Sequence, residues 1–568
     1  MKLSTMLVTA VVVVCAPRVQ AACALQTVAD LPVTIESGRI ITPVTLDGRP
    51  SKLILNMDYP INELTRAAVD RIGLHVTDRS AIYVQTLALG PSAYGATVFF
   101  LLKTDLLGQA DGILGRGVLA VGDTEYDLAD GDVRLIRAKG CENAALAYWT
   151  KSKTYGVLNM PAGFGFRDIV EIGLNGVKLR MLLSPSNSRS FVMAAAAHKA
   201  GLDPSLDVSP ILINGRASDF TVAQVNEMDF GGETIRHTRI AVTPTLSRVD
   251  VDGVLGMDFL LAHHAYVARR LGKVFITYNG GPIFNLDAKP DPASIAPAEP
   301  TTDPSSARSE TSATGAETFT RRGSAKLQRH DWDGAIADLD QALERRPEDP
   351  DAHYQRAMAL LGAKKEAAAL PDLDAAVRLR PGDHLARMER AALHARMGDD
   401  VAARADLEIV AAELTWRDEE WLALGGAFAF AGDPARAIAM DDQWLDRHNA
   451  SDGRWMALDR RCLARAIQGV DFNAALADCE AARRLQPKSS SVLADEGYLQ
   501  YRRGDDKAAF EAFDEAVALD SQDAWALYGR GVMRLRLGEG DAGMSDQKAA
   551  EAIDPPIAAV AAKLKLKA

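Results

Sequence analysis

Cysteine is scarce in this chain, and none of it is spaced for a metal. Five cysteines occur among 568 residues, with no Cys-x-x-Cys pair and no Cys/His cluster. That absence argues against a structural zinc site and against a redox enzyme. An excess of positive charge is missing too. The formal net charge of −12 argues against nucleic acid and anionic membrane surfaces as main partners. Beyond the N-terminal residues no segment is apolar and long enough to span a bilayer, so no stable membrane insertion is expected. No Gly-x-Ser-x-Gly turn of a serine hydrolase occurs. No motif implies a cofactor, so none is expected.

What is present is ordinary globular composition, 48% apolar and 25% charged, in a chain too long for one domain. Lys2, the apolar run Met6–Ala16 and Val19-Gln20-Ala21 read as a signal peptide, residues 1–21. A lipoprotein would need an aliphatic residue where Gln20 stands, three before Cys23. The expectation is an exported chain, periplasmic or secreted. Loss of Cys15 with the signal leaves Cys23, Cys141, Cys462 and Cys479, an even number suited to disulfides in an oxidising compartment.

The first half repeats itself. Asp47-Gly48 precedes Leu53-Ile54-Leu55-Asn56-Met57-Asp58, and Asn175-Gly176 precedes Met181-Leu182-Leu183-Ser184-Pro185-Ser186. Asn56 and Ser184 stand 128 residues apart, as do Leu74 and Leu202. Asn-Gly and Asp-Gly favour two-residue hairpin turns. Each copy therefore reads as hairpin, polar turn, strand and helix. Each later carries an acidic residue before Gly-aliphatic-Leu-Gly: Asp111-Gly112-Ile113-Leu114-Gly115 and Asp252-Gly253-Val254-Leu255-Gly256.

This pattern resembles the bacterial retropepsin-like aspartic proteases with two lobes on one chain. The resemblance covers about residues 25–285, with the Asp252–Leu260 stretch its most specific part. It implies a mostly-β two-lobed fold, lobe 1 at 22–145 and lobe 2 at 146–286, with cleft-fold motifs at Asp111, Gly112, Gly115, Asp252, Gly253 and Gly256. It also implies two Asp-Thr-Gly turns whose carboxylates share a proton, activate water and protonate the substrate carbonyl. The matching positions hold Asn56-Met57-Asp58 and Ser184-Pro185-Ser186 instead. Asn56 cannot titrate, and the Ser184 hydroxyl is too weak an acid to act as base. Three readings stand: a non-catalytic lobe pair, Asp58 as a displaced acid, or Ser184 as a nucleophile. By analogy, Ile82–Leu102 around Gly90-Pro91 and Ala217–Arg239 around Gly231-Gly232 occupy flap positions. A Cys23–Cys141 disulfide would tie the start of lobe 1 to its exit. His263-His264 reads as a satisfied pair rather than a metal site.

Residues 287–315 are rich in Pro, Ala, Ser and Thr and read as a tether that leaves the halves free to move. A 34-residue period follows through Ala335, Ala369, Ala403 and Ala437, resuming at Ala475, Ala509 and Gly543. It resembles the tetratricopeptide repeat, about seven copies within an all-α solenoid at 316–568 ending in a closing helix. Repeats three and four depart from the pattern at Thr415, Asn449 and Trp444. Asp418-Glu419-Glu420 and Asp441-Asp442 read as solvated faces. In that frame Cys462 and Cys479 face each other within one helix pair. The resemblance implies a groove for polypeptide or protein partners. The expected function is an exported, non-catalytic binding or scaffolding protein. The alternative is an aspartic-type endopeptidase with an altered site.

Overall fold

The computed structural model describes residues 23–36, 38–77, 80–90, 92–102, 110–142, 144–150, 155–161, 167–202, 204–205, 211–213, 216–218, 221–243, 251–280, 283–284, 312–414, 421–448, 453–487 and 489–568. The expected signal peptide, most of the tether, Thr415, the acidic run at 418–420 and Asn449 lie outside the described residues.

The two lobes are built on one plan. Strands Arg39–Leu46 and Arg49–Asn56 pair antiparallel around Asp47 and Gly48, whose φ values are 47° and 80°. In lobe 2, Ile169–Leu174 and Val177–Leu183 pair around Asn175 and Gly176, with the same φ values of 47° and 80°. Both turns need positive φ twice in succession, which explains the residue types. Gly112–Gly115 then runs parallel to the end of the first hairpin, Gly115 opposite Asn56. Gly253–Leu255 runs parallel to the end of the second, Leu255 opposite Leu183.

The glycines of these strands are steric necessities. A Cβ on Gly112 would lie 2.1 Å from the Glu63 carbonyl oxygen, and one on Gly253 would lie 2.4 Å from that of Phe191. Gly115 and Gly256 meet Ile61 and Arg189 in the same way. The aspartates before them are brackets. The Asp111 carboxylate accepts from the Lys52 N–H at 2.9 Å, and Asp252 accepts from the Arg180 N–H at 2.8 Å.

The lobes join through a six-stranded sheet. Its order is Ala24–Pro32, Asp132–Lys139, Asp123–Asp127, His263–Ala268, Lys273–Tyr278, Gly156–Asn159. The seam pairs Thr124 with Val267, Glu125 with Tyr266 and Tyr126 with Ala265. Three strands on each side of that seam make the sheet pseudo-two-fold. At its centre Glu125 is fully buried and accepts from His264 Nε2 (2.7 Å) and Arg134 Nη1 (2.9 Å). Burial acts to raise the Glu125 carboxyl, yet His264 and Arg134 hold it below the usual carboxylate range. His264 also stacks on Trp149 at 3.9 Å, and His263 bonds Phe259 O and Glu233. Both histidines are thus satisfied inside the fold.

The expected flaps need correction. The tip at Gly90 lies against Ala24–Pro32: its Cβ would sit 2.4 Å from Asp30 O, and Ser92 Oγ donates to Val28 O. The tip at Gly231 lies against Gly156–Asn159, where the Val157 N–H donates to Gly231 O at 2.9 Å. Both hairpins are fastened to the six-stranded sheet, and their glycines permit that close approach.

The second half is a solenoid with seven helix pairs among its described residues, from Ser312–Gln328 with Trp332–Arg345 to Ala524–Arg536 with Gly540–Ile553. Helix Ile557–Lys563 closes it. The small-residue column packs as its period implies: Ala335, Ala369, Ala403, Ala475 and Ala509 are fully buried. Aspartates cap many of the helices, Asp331, Asp349, Asp383, Asp399, Asp433, Asp505 and Asp523 each accepting from the first turn. Arginines clip successive helices together. Arg356 grips Asp372, Arg390 grips Asp406 and Arg530 grips Asp546, each pair 16 residues apart in sequence.

The halves are not independent, contrary to the tether reading. Buried Ser324 of Ser312–Gln328 accepts from the Ile35 N–H at 2.9 Å and donates to Ile35 O at 2.7 Å, capping the edge strand Thr34–Glu36. Ala325 enters the lobe core, and Lys52 pairs with Asp351 at 3.3 Å. A single hydroxyl thus does for that edge what a neighbouring strand would do.

Candidate functional site

The polar turns of the two lobes begin where the strands Arg49–Asn56 and Val177–Leu183 end. The Ser184 N–H donates to Leu255 O at 2.9 Å, which fixes the second turn to its parallel neighbour. Polar side chains pin the flanks. Asn62 Oδ1 accepts from the Gly115 N–H at 2.9 Å, and Ser190 Oγ accepts from the Gly256 N–H at 2.8 Å. Asn62 and Ser190 are again 128 residues apart, a signal available in the sequence but masked by their different side chains.

The two turns meet, and their polar groups satisfy one another. Ser184 Oγ donates across the lobe boundary to Asp58 Oδ2. Asn187 Nδ2 donates to Ser184 Oγ at 2.6 Å, and Ser186 Oγ donates to Asn56 Oδ1 at 2.8 Å. Asn56 Oδ1 also accepts from the Asp58 N–H at 3.1 Å. Asn56 and Ser184 therefore do come together, and Asp58 joins them. Asn187 was not singled out from sequence. Its role depends on the turn placing it beside a residue three positions back.

Met57 and Pro185 turn apolar groups toward one space. They line one small pocket with Leu55, Tyr126 and Leu135. Where the resemblance implies threonine hydroxyls bracing the turns, this chain has a methionine side chain and a proline ring.

Asp58 is the one carboxylate of the turn pair. Burial pushes it above the ordinary aspartate range, with Asp168 adding to that. Hydrogen bonds from Ser184 and Ser186 and the charge of Arg116 pull the other way. Asp168 is engaged by Arg269, which donates from Nε at 2.9 Å and from Nη2 at 2.6 Å. Ser184 is fully buried, so its Oγ faces Asp58 and Asn187 rather than the cleft opening. Chemically, Asp58 could take a proton from water. The two turns hold no second carboxylate to share that proton.

Both disulfides form as expected. Cys23 bonds Cys141 with Cα atoms 4.4 Å apart, and Cys462 bonds Cys479 at 5.5 Å. The first closes lobe 1 and the second staples Arg454–Gln468 to Phe472–Leu485. Among the described residues no group of three His, Cys, Asp or Glu side chains is placed to hold a metal ion, and no helix is long and apolar enough to cross a membrane.

Comparison with known proteins divides the chain in the same way. A family model described as aspartyl protease matches residues 170–259, the body of lobe 2. One described as tetratricopeptide repeat matches residues 320–384 and 466–524. No curated protein matches the chain. Among solved structures, a tetratricopeptide repeat protein from Parabacteroides merdae ATCC 43184 is 16% identical with a TM-score of 0.38, covering 44% of this chain and 98% of that one. PilW, a type IV pilus biogenesis factor, is 16% identical with a TM-score of 0.25, covering 43% of this chain and 97% of that one.

Proposed function

We infer, for a chain that joins an aspartyl-protease-like β domain to a tetratricopeptide-repeat-like solenoid, that it is an exported, non-catalytic protein that holds polypeptide. One observation carries this reading. The two turns that would bear a catalytic acid pair bear Asn56 and Ser184, and their polar groups are spent on each other. A cleft with its parallel strands and bracketing aspartates kept, and its acids gone, retains the means to pair with an extended chain. The repeats supply a surface suited to protein–protein interaction. The two disulfides suit export.

An aspartic-type endopeptidase with Asp58 as its acid is the second reading, favoured by the raised Asp58 carboxyl at the cleft floor. Incubating fluorescently labelled unfolded protein with the full chain separates the two. Holding without cutting, across acidic to neutral pH, is the expected outcome. Cleavage that vanishes in Asp58→Asn overturns it.

A further inference from the structure

The solenoid winds far enough for its last helices to touch its second and third helix pairs. Lys364 Nζ, in the loop after helix Pro350–Gly362, donates to Ala552 O at 3.2 Å and Ile553 O at 2.7 Å, at the C-terminus of Gly540–Ile553. Arg396, at the end of His384–Arg396, pairs with Asp554 at 3.1 Å. Lys563 Nζ donates to Ala395 O at 3.0 Å and pairs with Asp400. Three cations, two from the second and third helix pairs and one from the closing helix, thus close the coil.

Beside the closure lies a solvent-open chamber of about 940 Å³. Its walls are the facing sides of Pro350–Gly362 and His384–Arg396, with Pro555 and Pro556 across from them. Met358, Leu361, Ala392 and Leu393 make one wall apolar. That volume is in the range of pockets that hold small molecules or several residues of a peptide.

The charges of the lining are nearly all spoken for. Lys364 serves helix carbonyls, Lys365 pairs with Asp333 at 3.0 Å, and Glu366 and Asp554 both pair with Arg396. Glu389 differs. It has no hydrogen bond or ion pair among the described residues, and burial alone, with no cation to offset it, raises its carboxyl. It lines the chamber together with Met358, Leu361 and Leu393. A crowded carboxylate with no partner is a cost to the fold. A cation brought by a ligand would relieve it.

We infer that this chamber binds a polypeptide segment carrying one lysine or arginine flanked by aliphatic residues, its cationic group on Glu389 and its neighbours on Met358, Leu361 and Leu393. The inference rests on the reading that the repeats hold polypeptide, and it adds which surface does so and what it selects. Charge complementarity decides the occupant. The basic side chains around the chamber are engaged, so an acidic segment would find no free cation there.

The test is retention of peptide sub-libraries on the immobilised full chain. All share randomised aliphatic flanks, and the central residue is fixed as Lys, Arg, norleucine or Glu. The expected result is retention of the Lys and Arg pools about ten-fold above norleucine and Glu, the worth of about one charge-assisted hydrogen bond. Glu389→Gln, which keeps the side-chain shape, is expected to abolish that preference. Ala392→Trp, which fills the chamber from an exposed helical position, is expected to abolish it too. Equal retention of all four pools, or a preference unchanged in either variant, overturns the cationic chamber and leaves polypeptide binding standing. Retention of none of the pools overturns both.

Discussion

The two lobes agree wherever the backbone is crowded and disagree wherever the chemistry would be. Gly112 and Gly253 occupy equivalent places against carbonyl oxygens, and Asp111 and Asp252 bracket equivalent N–H groups. Where those strands end, Asn56-Met57-Asp58 meets Ser184-Pro185-Ser186. The lesson is one of constraint. A strand crossing tolerates only residues that fit it, so those residues persist through duplication. A turn with no acid pair to position needs only to have its polar groups satisfied, and many combinations do that. Here a hydroxyl–carboxylate bond and a hydroxyl–amide bond close it.

The lobes also differ in bracing, since only lobe 1 carries a described disulfide, and this gives the largest expected effect. Cys23→Ser/Cys141→Ser opens a loop with a sequence separation of 118. It should cost about 4 kcal/mol by chain entropy. Denaturant titration of the double variant would show it, with the loss confined to the β half. Equal loss in a variant of the 17-residue-separated pair Cys462–Cys479 would remove the contrast between a long and a short loop.

Second in size are the glycine crossings. Gly112→Ala and Gly253→Ala each drive a methyl against a backbone carbonyl, 2.1 and 2.4 Å from its ideal position. Each should destabilise its lobe by about 3 kcal/mol. Thermal melts of the two variants should match. A tolerated Gly253→Ala would break the claimed equivalence of the crossings.

The smallest effect belongs to Asp58. Its folded carboxyl is raised by burial, so the folded state holds the proton more tightly than the unfolded chain does. The stability this contributes is present at low pH and is lost as pH rises through the folded value. Asp58→Asn should therefore melt like wild type in acid and above wild type at neutral pH. A pH-independent difference would mean that Asp58 acts through shape alone.

Much of this architecture was legible in the residues. The hairpin turns at Asp47-Gly48 and Asn175-Gly176 require φ values that few residues accept, and the 34-residue column records close helix packing. Both disulfide pairs followed from the expectation of export and from the position of each cysteine within its unit. What stayed hidden depends on how distant pieces meet. The bond from Ser184 to Asp58 spans 126 residues, and Ser324 reaches Ile35 over 289. No local pattern marks either. The fastening of the Gly90 and Gly231 tips was hidden for the same reason, because a glycine serves a free turn and a close approach equally well. The arginine–aspartate clips at 16-residue spacing were readable, since Arg356-Asp372 and Arg390-Asp406 recur one repeat apart.

The central claim is that the cleft was kept for holding after it ceased to cut. Digestion of an unfolded protein by the full chain, followed by mass spectrometry from acidic to neutral pH, tests it most directly. The controls are Asp58→Asn and Asn56→Ala/Ser184→Ala. The account predicts no peptide bond cleaved by any of the three chains, with the unfolded protein still retained. Cleavage by the wild type that is lost in Asp58→Asn would contradict it.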